Sequence, residues 1–208
     1  LLGGAIMSIL SPVFATMRNI ENVLQSATII AVVAIGQTFV ILVAGIDLSV
    51  ASVLVLSSVL SVGLVQFQGF SPEIGVMVAL LAGLGIGLVN GLAVTKLRIP
   101  ALIATLATMT IGRGLAYIYS GGTNIAPVPR FFVDLQAARI LGIPAVIVLT
   151  LVLALIAQIV LSRTSFGRSI YATGGNPLAA RLAGIKTERV IIIAFMISGL
   201  MSAIGGLL

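Results

Sequence analysis

Residues 27–65 run almost without polar interruption, and this single stretch limits the possible folds more than any other feature. As one helix it would be about 58 Å long, nearly twice the roughly 30 Å hydrocarbon core of a bilayer. The chain must therefore break inside it. Gly45-Ile46-Asp47-Leu48-Ser49 is the only place with both a breaker and polar groups. Gly45 can relax the backbone there. Asp47 or Ser49 can accept a hydrogen bond from a free N–H and cap the helix that follows. Two spans of membrane length joined by a tight break are the expected result.

The rest of the chain repeats that pattern. Of its 208 residues 60% are hydrophobic and 8% charged, against about 25% charged in a soluble domain. Mean hydropathy is +1.29. A water-facing surface needs more polar atoms than this, so lipid is the expected solvent. About seven spans follow from runs near 20 apolar residues: 1–15 (the remainder of a longer span), 27–46, 48–65, 74–95, 101–119, 144–161 and 190–208. The expectation is an all-α polytopic transmembrane helix bundle. Residues 1–208 read as one transmembrane domain, truncated at both ends, with a cytoplasmic loop at 162–189.

Net charge is +6, and topology explains it without invoking nucleic acid. One alternate set of loops holds Lys96, Arg98, Arg163, Arg168, Arg181, Lys186 and Arg189. The other holds Arg18, Arg130 and Arg139. Lys and Arg accumulate on the cytoplasmic side, which places the first set there. Loops 17–26, 66–73 and 120–143 are then external, the last with room for a short surface helix near 131–139. Arg113 falls toward the outer end of its span, where it can snorkel. There is no Cys and no His. That removes disulfides, Cys-ligated metal and any Cys–His or Ser–His catalytic pair. No Gly-x-x-x-x-Gly-Lys-[Ser/Thr] loop is present, so ATP hydrolysis by that route would need a partner. No catalytic residue, cofactor or metal site is expected.

The cytoplasmic loop carries a complete set of helix signals. Asn176 suits an N-cap, Pro177 the first helical position, and Gly184 the C′ position that wants φ > 0. A helix over 177–183 is about 10 Å long and too short to persist alone. Leu178 and Leu182 share one face and need something to pack on. Ala179, Ala180 and Ala183 keep the helix slim, and Gly174-Gly175 frees the chain before it. Two readings stand: a docking helix for a cytoplasmic partner, or a short amphipathic helix resting on the membrane surface or on neighbouring spans.

Polar side chains inside the spans are few: Gln37, Thr38, Asn90, Thr105, Thr108 and Thr110. Neutral hydrogen-bonding groups of this kind bind sugars, so they can line a pathway. Each can equally serve an interhelical hydrogen bond worth about 0.6 kcal/mol. Asp47 is the only acid near a span. An intramembrane carboxylate is a functional candidate, but its place at the obligatory turn favours a cap or structural break. Gly83, Gly85, Gly87 and Gly91 contain two small-xxx-small pairs, 83/87 and 87/91. They fit close helix packing, within the bundle or to a second subunit.

Several of these stretches resemble one family. Phe166-Gly-Arg-Ser-Ile-Tyr-Ala-Thr-Gly-Gly-Asn-Pro-Leu-Ala-Ala-Arg-Leu-Ala-Gly184 is similar to the cytoplasmic coupling segment of sugar-type ABC importer permeases, the ribose/xylose/galactose branch. Residues 36–50, from Gly36-Gln37-Thr38 to Asp47-Leu48-Ser49-Val50, resemble a second hallmark. Thr105-Leu-Ala-Thr-Met-Thr110 with Gly112-Arg113-Gly114 and Ser120-Gly121-Gly122 resembles a third. Ser11-Pro12, Asn19 and Asn22 fit the first external loop loosely. Ala51 departs from the pattern, where the family usually has Gly. The resemblance runs through nearly the whole chain in order.

It implies a transmembrane permease subunit that moves a monosaccharide or similar small polar solute across the bacterial plasma membrane. Its implied partners are a cytoplasmic ABC ATPase, an extracytoplasmic solute-binding protein and a second permease subunit. Gly174, Gly175, Asn176, Pro177, Ala179, Ala180, Arg181 and Gly184 would couple to the ATPase. Gln37, Asp47, Ser49, Asn90 and Thr105 would line the pathway or gate. Branched-chain amino acids are the alternative cargo within the superfamily. An ATPase-independent secondary transporter is the alternative of another class.

Overall fold

The computed structural model describes residues 7 and 10–208. The expected span at 1–15 lies largely outside these residues. Among the described residues six helices are long and apolar enough to cross a membrane. They are α1 (Met17–Leu42), α2 (Val50–Gln68), α3 (Pro72–Thr95), α4 (Ala101–Ser120), α6 (Ala145–Arg163) and α9 (Thr187–Leu207). Between α4 and α6 lie a short helix, α5 (Arg130–Ala137), and a two-stranded antiparallel ribbon, β1 (Arg139–Ile140) with β2 (Ile143–Pro144). Two helices, α7 (Ser165–Gly175) and α8 (Pro177–Leu182), occupy the segment before α9. The all-α membrane bundle is therefore observed, with the ribbon as a small unforeseen addition.

The span boundaries follow from local chemistry. Pro72 opens α3 at its first turn, where the missing N–H costs nothing. Left-handed glycines close α2 at Gly69 and α4 at Gly121. The expected external loop at 17–26 is instead the first part of α1. Thr16 caps that helix, its Oγ1 accepting from the Asn19 N–H at 3.3 Å. Hydropathy falls over Arg18, Asn19, Glu21 and Asn22, but the helix continues beyond the hydrocarbon. Glu21 there meets Arg139 of the ribbon at 2.7 Å. Loss of apolarity marked the bilayer edge rather than the end of the helix.

The bundle is organised around α9, which packs against α1, α2 and α3. Its closest partner is α3, and glycine makes the approach possible. A β-carbon at Gly83 would lie 2.5 Å from the Gly199 carbonyl oxygen, and one at Gly91 2.7 Å from Ile192 Cα. Gly87 presses on the Phe195 carbonyl in the same ridge, whereas Gly85 faces open space. Of the two placements open for the 83/87/91 stripe, packing within the bundle is the one seen.

Candidate functional site

The break between α1 and α2 occupies residues 43–49. α1 tightens as it ends: the Ala44 N–H donates to the Ile41 carbonyl at 2.9 Å and the Gly45 N–H to the Val40 carbonyl at 2.9 Å. The positive φ falls on Ala44, at 58°, not on Gly45. Gly45 is needed for space, since a β-carbon there would sit 3.0 Å from Val40 Cγ1 and 3.4 Å from Phe195 Cζ. The expectation that Gly45 relaxes the backbone is corrected to that extent.

Asp47 is 1% exposed and fully engaged. Its Oδ1 accepts from the Ser49 N–H at 2.9 Å and from Ser49 Oγ at 2.5 Å. Its Oδ2 accepts from Ser198 Oγ of α9 at 2.8 Å. The bond to the Ser49 N–H orders the start of α2, as a cap does, because Ser49 is the N-cap residue and makes no side-chain bond of its own to the helix. The location is not an end of the bundle, however. Ser198 lies eleven residues into α9, about 16 Å from its start. The break is recessed into the bundle. A buried carboxylate persists in such a place only when donors surround it.

From Ser49 the network spreads to two more spans. Asn90 of α3 donates its Nδ2 to Ser49 Oγ at 3.0 Å, and its Oδ1 accepts from Thr108 Oγ1 of α4 at 2.8 Å. Gln37 of α1 donates Nε2 to the Asp47 carbonyl at 2.5 Å. Thr105 gives its one proton most closely to the Ala101 carbonyl, at 2.8 Å, and lies 3.3 Å from the Ile46 carbonyl. Gln37, Asp47, Ser49, Asn90 and Thr105 are thus brought to one place. Ser198 and Thr108 join them, and sequence reasoning did not include either among the site residues. A serine in an apolar span carries no signal that it will meet an acid 151 positions away. One acceptor, Gln37 Oε1, is buried with no partner among the described residues.

The second part of the site is the helix pair that precedes α9. Asn176 caps α8 as expected, its Oδ1 accepting from the N–H groups of Leu178 at 3.1 Å and Ala179 at 3.0 Å. Pro177 is the first helical residue, and Gly184 has φ +84°. The Gly184 N–H donates to the Arg181 carbonyl and the Ile185 N–H to the Ala180 carbonyl, the paired bonds of a Schellman stop. Ala180 faces inward and is buried. Leu178 and Leu182 find nothing to pack on within the chain and are 69% and 84% exposed. They do not rest on the neighbouring spans.

The approach to α8 is a helix, not the free glycine linker expected at Gly174-Gly175. Thr164 caps α7 through the Gly167 N–H, at 3.1 Å. Ile170 of α7 is fully buried against Phe39 and Val43 of the α1 end and Val190 and Ala194 of α9. Gly174 sits in the last turn, directly on the Leu42 carbonyl, with no room for a β-carbon. Gly175 faces open space. The residue before the polar break, Leu42, and a glycine three residues before the exposed helix, Gly174, are therefore in close contact.

Comparison with known proteins places this geometry among transporters. Residues 19–208 match the family model described as branched-chain amino acid transport system / permease component. Ribose import permease protein RbsC of Haemophilus influenzae is 38% identical over 208 residues, which cover 98% of this chain and 64% of that protein. RbsC of Bacillus subtilis is 42% identical over 97% of this chain and 63% of its own length. Autoinducer 2 import system permease protein LsrC of Escherichia coli is 37% identical, over 93% of this chain and 56% of its own length. The chain spans just under two thirds of the length of the ribose relatives. No solved structure matches.

Proposed function

The chain belongs to the branched-chain amino acid transport system / permease component family, and from that premise we propose that it is the transmembrane subunit of an ATP-binding-cassette importer for a monosaccharide or similar small polar solute. Sugar rather than amino acid is favoured because the similar proteins quoted above are named for ribose and autoinducer 2. The protein then resides in the bacterial plasma membrane as a multi-pass component. Its partners are a cytoplasmic ATPase, an extracytoplasmic solute-binding protein and a second permease subunit. Hydrolysis belongs to the ATPase, since this chain lacks the phosphate loop.

One observation carries the coupling role. The α7–α8 pair is locked to the bundle on its inner side by Ile170 and Gly174, yet its outer side presents Leu178 and Leu182 bare. A rigid element with an unpartnered apolar tip suits capture by a second protein. Because Gly174 touches Leu42, movement of that tip is delivered to the end of α1. Packed elements shift between discrete arrangements rather than deform continuously. The break at 43–49 is the natural recipient, and its hydroxyl and amide groups suit a polar solute. Gly175, Pro177, Ala179 and Arg181 shape the docking tip, while Gln37, Asp47, Ser49, Asn90 and Thr105 form the responding gate.

The reading is tested by reconstituting the full permease with its ATPase and binding protein. Asn176→Leu and Gly184→Pro are expected to abolish solute uptake and substrate-stimulated ATP hydrolysis while membrane insertion persists. Uptake at the original rate in both variants, or uptake that proceeds without ATP, defeats it. The latter outcome would favour a secondary transporter.

A further inference from the structure

A cavity of about 560 Å³ opens at the cytoplasmic end of the bundle, lined by Lys96, Arg181, Lys186, Glu188 and Arg189 over a floor that includes Ile192. Its charge is one-sided, with four cations against one acid. Lys96 and Glu188 neutralise each other in an ion pair at 2.5 Å. Arg181, Lys186 and Arg189 make no direct ion pair among the described residues, although the Glu188 carboxylate also feels the Arg181 charge. Arg181 is also aimed. Its Nε donates to Thr187 Oγ1 at 2.8 Å, which fixes the guanidinium and leaves its two terminal nitrogens free of bonds among the described residues. The first turn of α9, which has no side-chain cap, lies in the same wall. Of its first N–H groups only that of Glu188 lacks a partner among the described residues, since those of Thr187, Arg189 and Val190 donate to backbone carbonyls.

The height of this cavity is informative. Lys96 is the residue at which α3 leaves its span, and Thr187 is the residue at which α9 enters one. The cations therefore ring the layer in which lipid headgroups lie. Directly beneath them the surface is apolar. Val89 and Leu92 share the α3 face that ends in Lys96, and both are exposed. Ile192 and Ile193 share the α9 face that begins with Arg189, about 6 Å deeper at most. A phosphate-sized anion above and an acyl chain below fit this order. Basic pockets between spans on the cytoplasmic side bind anionic headgroups on the same grounds.

We propose that this cavity is a binding site for the phosphodiester headgroup of an anionic phospholipid of the inner leaflet, held by Arg181, Lys186 and Arg189. The site shares Arg181 with the proposed docking tip, so substitution of Lys186 and Arg189, which are not part of that tip, separates the two readings. A soluble phosphate shares the headgroup chemistry but not the apolar strip. An acidic surface of a cytoplasmic protein shares the charge but not the depth.

The test uses the full-length protein in nanodiscs of phosphatidylcholine with graded phosphatidylglycerol. Bound lipid is counted by native mass spectrometry. The wild-type protein is expected to retain phosphatidylglycerol over phosphatidylcholine. The double variant Lys186→Gln/Arg189→Gln is expected to lose that preference by about 25-fold, roughly fivefold per cation. Arg168→Gln, on α7 and outside the cavity, is expected to keep it. An undiminished preference in the double variant overturns the proposal. So does saturation of the site by inorganic phosphate in pure phosphatidylcholine. A double variant that keeps its lipid but loses a cytoplasmic protein partner overturns it as well, and assigns the cavity to that partner.

Discussion

The chain leaves the regular spans in two very different ways, at residues 43–49 and at 164–186. The first break is recessed and binds the polar side chains of Asp47 and Ser49 inside the bundle, although the Ile46, Asp47 and Leu48 N–H groups have no partner among the described residues. Asp47 alone receives three hydrogen bonds, from Ser49 and Ser198. The second segment is exposed and does the opposite, presenting Leu178 and Leu182 to the outside. In lipid every backbone and side-chain polar group must find a partner within the protein. Outside the spans water satisfies polar groups, and it is the apolar ones that lack partners. One break is therefore closed by internal bonds, and the other is left open for an external contact. The Gly174–Leu42 contact is where the two meet.

Substitution should separate the two regimes, and the largest effect belongs to the recessed break. Asp47→Leu leaves the Ser49 N–H, Ser49 Oγ and Ser198 Oγ without their acceptor. With buried donors costing about 1–3 kcal/mol each, a total loss of about 3–5 kcal/mol is expected. Thermal unfolding in detergent measures it. Asp47→Asn keeps an acceptor for Ser49 and removes the charge, so most of that stability should return. Solute uptake by Asp47→Asn then sharpens the assignment. Survival of transport makes Asp47 a structural element, and loss of transport with stability intact makes the charge part of the gate.

At the junction, Gly174→Ala places a methyl against the Leu42 carbonyl. Overpacking of this kind costs about 1–3 kcal/mol and is relieved by moving α7 off the α1 end. The expected signature is a protein that still binds its ATPase through α8 but couples hydrolysis to uptake poorly. Gly175→Ala, one residue on and facing open space, is the control. Equal behaviour of the two variants would break the claim that the exposed segment reaches the recessed one through Gly174.

How much of this was legible differed between the same two regions. The need for a break followed from the length of residues 27–65, because no bilayer accommodates one helix of that size, and its position from the glycine and polar groups at 45–49. The α8 caps were equally plain, since Asn176, Pro177 and Gly184 each act within a few residues of their own position. What sequence could not supply was long-range. α7 went unseen because its residues are mixed in character and end in Gly174-Gly175, a pair that suggests a free linker. The helix exists because Thr164 caps it and Ile170 is buried by α1 and α9. The partnership of Asp47 with Ser198 goes with a close α1–α9 approach, where a β-carbon on Gly36 would lie 3.0 Å from Ser198 Cα. The outer turns of α1 were hidden by their polarity, although polarity does not end a capped helix.

A smaller effect is expected at the α8 cap. Asn176→Ala removes the acceptor for the Leu178 and Ala179 N–H groups, at a cost of about 1 kcal/mol. That loss is confined to a helix of six residues. Global unfolding of the bundle should hardly register it. Hydrogen exchange at Leu178–Leu182 should rise, while exchange at residues 43–49 stays as it was. Faster exchange in both places would mean that the recessed break depends on α8 order even without a partner.

The smallest stability effect and the most selective functional one belong to Leu182→Asn. Leu182 is 84% exposed, so the substitution removes almost no burial. It lies inside a helix whose caps are elsewhere. Stability of the isolated permease should change by no more than about 0.5 kcal/mol. Removing an apolar knob from an interface costs a tenfold loss of affinity for each 1.4 kcal/mol of lost burial, and a buried leucine is worth about 1.5–3 kcal/mol. Co-purification with the ATPase should therefore fall at least about tenfold. If stability falls and association does not, Leu182 is packing against something within the permease or the membrane surface, and the exposed segment is not a docking element. If association falls with stability unchanged, the contrast between the two breaks is one of purpose: the polar groups of one are spent inside the molecule, and the apolar groups of the other are kept for a partner.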